Sequence, residues 1–146
     1  MSEQIAVSMH FGVQTQKPNY LPIVEIKLDE LVVIKKHEIR HDDVLNFQLD
    51  LLDNKEHTLT VNRTGHNEKD KQILSIINLT VDEINLNKLL DMTVYKPDYP
   101  TLWLKEQQDA GQDQPKYQKG WRDFGFNGQW QMHFTTPFYT WLLKNT

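Results

Sequence analysis

Three aromatic residues have the types and spacing that binding chemistry uses. Tyr95, Tyr99 and Trp103 lie close together around the proline-bearing stretch Tyr95-Lys96-Pro97-Asp98-Tyr99-Pro100. Rings carried on loops offer flat, rigid contact area to a sugar ring or to a protein partner. Two readings stand side by side: the rings fold back as a plug or subunit contact at one end of the domain, or they form a sugar platform. The second candidate chemistry is acidic. Asp42 and Asp43, with Glu68 and Asp70 from Asn67-Glu68-Lys69-Asp70, are oxygen donors of the kind that calcium takes. Carboxylates at turns also keep strand ends soluble and deter edge pairing, and the sequence leaves both roles open.

Catalytic patterns are missing. The chain contains no G-x-S-x-G elbow, no H-E-x-x-H, no P-loop and no G-x-G-x-x-G. Glycoside cleavage needs two carboxylates about 5–10 Å apart in a cleft, and no pair identifies itself. His37 and His41 are close in sequence, but four positions along a strand is roughly 13 Å. That is too far for one metal, so they read as solvated turn and edge residues. The expectation is a protein that binds or assembles, with no catalytic residues.

The elements that position these residues follow a period of two. Val24, Ile26 and Leu28 alternate with Glu25, Lys27 and Asp29, which places the apolar set on one sheet face. Asp29-Glu30 reads as a tight turn into the β-branched Leu31-Val32-Val33-Ile34. Leu45, Phe47, Leu49 and Leu51 mark a further strand, then a turn at Asp53-Asn54-Lys55-Glu56, then a strand with Leu59 and Val61 inward. A polar loop is expected from Arg63 to Lys71. A β-rich run through Ile73, Ile76, Leu79 and Val81 follows, with a turn at Asp82-Glu83 leading to Ile84-Asn85-Leu86.

The first segment, Ile5 to Val13, alternates weakly and suggests an edge strand, and Lys17 to Pro22 forms a break. Tyr95 to Gly120 reads as a long Pro-, Gln- and Asp-rich loop. Asn127-Gly128 is the strongest hairpin dipeptide and feeds a strand through Trp130, Met132 and Phe134. Trp121, Phe124, Phe126, Trp130 and Trp141 read as core and rim. The terminus, Phe138-Tyr139-Thr140-Trp141-Leu142-Leu143, is either a closing strand or a short helical turn. The rhythm predicts an all-β fold, a two-sheet antiparallel jelly-roll sandwich forming one domain over residues 1–146.

Composition narrows the function classes. The chain has 146 residues, 38% of them hydrophobic and 25% charged, which is globular composition. A formal net charge of -4 argues against a nucleic-acid partner. No apolar run approaches the roughly 20 residues that span a bilayer, and no secretory signal is visible. The absence of cysteine suits a reducing cytoplasm.

Two resemblances add to this. The order of strands over residues 23–90, with the inserted hairpin Leu28-Asp29-Glu30-Leu31 and the strand His57-Thr58-Leu59-Thr60-Val61, is similar to that of calcium-dependent, xylan-binding carbohydrate-binding modules. That likeness implies a fold and a glycan ligand. Tyr95-x-Pro97-x-Tyr99-Pro100-x-x-Trp103 and Asn127-Gly128-x-Trp130-x-Met132-x-Phe134-x-x-Pro137-Phe138-Tyr139-x-Trp141-Leu142 resemble a family of small proteins from marine tailed phages of cyanobacteria. Phe124 and Phe126 depart from that pattern, standing where the family carries Leu and Trp. This resemblance implies a virion or accessory protein, a capsid decoration or tail component assembled in the host cytoplasm. Its expected partners are phage structural proteins or its own copies; the alternative is recognition of a host-surface glycan.

Overall fold

The structure is a computed structural model that describes residues 2–14, 21–65 and 72–146. Its strands are β1 (Ser2–Gln14), β2 (Ile23–Leu28), β3 (Leu31–Glu38), β4 (Asp42–Leu52), β5 (Glu56–Thr64), β6 (Ile73–Val81) and β7 (Ile84–Asn85). After a 3-10 turn at Asn87–Met92 come β8 (Val94–Pro97), helix α1 (Thr101–Asp109), β9 (Gln118–Lys119), β10 (Asp123–Phe124), β11 (Gly128–Thr135) and helix α2 (Phe138–Lys144). They form two antiparallel sheets packed as a sandwich. One runs β10-β6-β1-β4 with β7 beside β6; the other runs β3-β2-β5-β11-β8-β9.

Period-two alternation builds the interior as expected. Val24, Ile26 and Leu28 of β2, Leu59 and Val61 of β5, and Trp130, Met132 and Phe134 of β11 face Leu45, Phe47, Leu49 and Leu51 of β4 and the apolar set of β6. Trp130 is fully buried, and its indole N–H donates to Thr93 Oγ1 at 2.9 Å, so the ring carries no unpaired donor into the core. The turns at 29–30, 53–54 and 82–83 form where expected, with Asp29, Asn54, Asp82 and Glu83 at positive φ.

Four expectations need correction. Strand β1 is not an edge: it pairs with β4 on one side and β6 on the other. Its alternation looked weak because the outward residues Ala6 and Ser8 are small, which suits a strand with two neighbours. Arg63 is not in a loop, since β5 continues through it and turns its side chain inward to full burial. The rest of the expected loop, 66–71, and most of the Lys17–Pro22 break lie outside the described residues. The stretch from Tyr95 to Gly120 is not one long loop. Tyr95 belongs to β8, and Pro100, whose fixed φ suits a helix entry, leads into α1.

Asn127-Gly128 does not close a hairpin, because β10 and β11 belong to different sheets. Gly128 is instead squeezed between strands: a Cβ there would run into the Lys96 carbonyl oxygen. Of the two terminal readings, the helix holds. α2 buries Phe138 and Leu142, with Phe138 edge-on to Phe134 at 5.6 Å.

Candidate functional site: the outer face of the six-stranded sheet

The residues that alternate with the core on β2, β5, β11 and β8 point away from it, and their register aligns them. Glu25 pairs with Asn62, Asn62 with Gln129, and Gln129 with Lys96. The result is one polar row crossing four strands. With Lys36, Thr64, Asp98 and Asn127 it lines a cleft of about 450 Å³. Asn62 Nδ2 reaches Glu25 Oε1 at 3.4 Å, and Lys27 Nζ stands 3.8 Å from the same oxygen. Asn62 Oδ1 and, one row further along, Gln131 Oε1 are buried without a hydrogen-bond partner. An unpaired buried acceptor costs about 1–3 kcal/mol, and native folds rarely keep one without a use.

Beneath the cleft, Arg63 fixes its floor. Its guanidinium donates to the Phe124 carbonyl and to Gln72 Oε1 at 2.7 Å. Burial lowers its pKa to about 10, an effect partly countered by the nearby Tyr95, and it stays protonated at neutral pH. Tyr95 stacks on Phe124 with ring centroids 4.1 Å apart, and its hydroxyl donates to the Phe126 carbonyl. Burial raises the pKa of that hydroxyl far above the ordinary range.

The aromatic trio is therefore divided. Tyr95 is 1% exposed, so its ring offers no surface to a sugar, and of the two readings the platform does not hold for it. Period two explains this: Tyr95 alternates with the outward Val94 and Lys96. Tyr99 and Trp103 are half-buried and stack at 5.4 Å, and each lies 4.9 Å from Phe126. They hold α1 against the sandwich, and the Tyr99 hydroxyl donates to the Pro115 carbonyl at 2.6 Å.

The calcium candidates do not assemble among the described residues. Asp42 and Asp43 are consecutive on β4 and point to opposite faces. Asp42 lies 3.9 Å from His10, whereas Asp43 meets His37 Nε2 at 3.1 Å. No group of three or more potential ligands forms among the described residues, and Glu68 and Asp70 fall outside them. The sequence reading missed Glu25, Asn62 and Gln129 because it took the outward half of each alternation as solvated surface. The available signal was the amide content of those outward positions.

No protein-family model matches the chain, and no curated protein matches it by sequence. Among solved structures, it is similar to vCBM60, a carbohydrate-binding module, in complex with galactobiose. The TM-score is 0.53 at 8% identity, covering 86% of this chain and 95% of that one. This likeness bears on the fold alone and agrees with a two-sheet antiparallel β-sandwich. No helix among the described residues is long and apolar enough to cross a membrane.

Proposed function

We propose that this sandwich is a non-catalytic glycan-binding module whose ligand lies across Glu25, Asn62, Gln129 and Lys96. The observation that carries the reading is the in-register polar row, with the buried, unpartnered oxygen of Asn62 within it, lining an open cleft. Sugar hydroxyls are donors as well as acceptors, and amide and carboxylate side chains on a rigid sheet meet both needs. Lys36 and Lys96 supply charged donors at the rim. Likeness to a module that holds galactobiose supports the ligand class.

A glycan array, run with calcium and again with a chelator, tests the reading, followed by calorimetry with galactobiose. Retention of at least one glycan is expected. Asn62→Ala and Gln129→Ala should each weaken it about tenfold, as the loss of one well-placed hydrogen bond does. An array with no retained glycan in either condition overturns the proposal. The phage-like C-terminal motif gives such a module a setting, attachment of a particle to a host-surface polysaccharide. Mass spectrometry of purified virions checks that part: the chain should be present at a definite copy number.

A further inference from the structure

We infer that the ligand surface extends beyond the first cleft as a groove along β5 and β11, flanked at its far end by Trp141, and that it takes a linear oligosaccharide long enough to touch both ends. The inference rests on the glycan-binding reading and specifies the ligand's length.

Following the ladder away from Asn62 and Gln129, the next outward pairs are Thr60 with Gln131, Thr58 with His133, and Glu56 with Thr135. All are polar, so on these two strands no large apolar side chain interrupts the strip. At about 3.4 Å per residue the strip spans roughly 20 Å. Strand β8 accompanies β11 only over Gly128–Gln131, so the stretch 132–135 has no strand on that side. There the chain folds back as α2 and sets Trp141 beside the opening. Its ring lies 6.0 Å from Phe134 and 5.9 Å from Phe138, and it is half-buried, held in place with part of its surface open.

Trp141, Glu56, Thr58, His133 and Thr135 line a second cleft of about 500 Å³. His133 Nδ1 and Thr58 Oγ1 are 2.9 Å apart, which orients the imidazole. An aromatic wall for the C–H face of a pyranose, flanked by a carboxylate, an imidazole and hydroxyls, is the chemistry that a sugar subsite needs. The independent observation lies between the clefts, where Gln131 Oε1 is buried and unpartnered. A ligand confined to either cleft stops short of Gln131 and its neighbour Thr60, whereas a continuous chain crosses both.

Calorimetry on the full chain with galacto- and xylo-oligosaccharides, from disaccharide to hexasaccharide, tests the groove. The expected result is an affinity that rises about tenfold or more with length in one series. His133→Ala and Trp141→Phe should both bring the ratio of hexasaccharide to disaccharide affinity back toward unity. His133 is exposed and Trp141→Phe keeps an aromatic ring, so both variants are expected to fold. Binding that is independent of length, or a length gain that survives both substitutions, overturns the groove and leaves the single-cleft reading standing. If no oligosaccharide of any length binds and the array is also blank, both fall together.

Discussion

An acceptor shut away from water lowers stability unless something donates to it, and Asn62 and Gln131 each keep one. If these amides are retained for a ligand, removing them should help the empty fold. Gln131→Leu is expected to raise the thermal midpoint by about 2–4 °C, the shift that about 1 kcal/mol gives a chain of this size, while weakening glycan retention. Scanning calorimetry beside the array separates the two effects. Asp29 works in the opposite sense. It accepts from the Thr58 N–H at 2.9 Å and meets the buried His57 Nδ1 at 2.7 Å. Burial pushes its carboxyl upward, but these partners more than offset that, and its pKa lies below the ordinary 3.8. A folded pKa below the unfolded one stabilises at pH above the unfolded value, and the benefit is lost as pH falls through the lower folded value. Asp29→Asn should therefore lower urea stability by about 1 kcal/mol at neutral pH. The gap to the unsubstituted protein should shrink as acid protonates the carboxyl.

Helix α1 buries none of its residues and is held through Trp103, with Tyr99 and Phe126. Phe126→Ala should leave global unfolding nearly unchanged while amide exchange across 101–109 speeds toward that of a frayed segment. Gly128→Ala should do the reverse, driving a methyl into the Lys96 carbonyl and parting β8 from β11 at a cost of about 1–3 kcal/mol by denaturant unfolding. These two elements also mark how far the sequence could be read. Strands whose alternation is strict, such as β2, β4 and β11, were legible, as were the turns that follow β2 and β4, because one buried face fixes the register. The short β8 and β9 and helix α1 were not, because they carry too few apolar residues to show a period. Asn127-Gly128 misled because the glycine serves close approach between strands rather than a turn. The site was legible only in kind. Aromatic and acidic residues pointed to sugar, but the outward amides of Asn62, Gln129 and Gln131 are brought into line only by strands distant in sequence.

Taken whole, the molecule is two sheets whose polar outer face is independent of the core that supports it, so ligand and fold are coupled by mass action. A glycan present at a hundred times its dissociation constant should add about 2.7 kcal/mol to stability. Differential scanning fluorimetry should register this as a higher midpoint that depends on glycan concentration, and the increase should vanish in the double variant Asn62→Ala, Gln129→Ala. The placement of β11 has a different consequence. It lies in the middle of its sheet, between β5 and β8, yet it is the last of the described strands in chain order. Phe138, just beyond it, donates its backbone N–H to Glu3 at 2.6 Å, so the end of the last strand is tied to the start of the first. A nascent chain on the ribosome has the other described strands in hand and still lacks the one that joins β2-β5 to β8-β9. The sandwich closes only after β11 clears the exit tunnel, and until then the edges of β5 and β8 that it will cover stay unpaired and open to other chains.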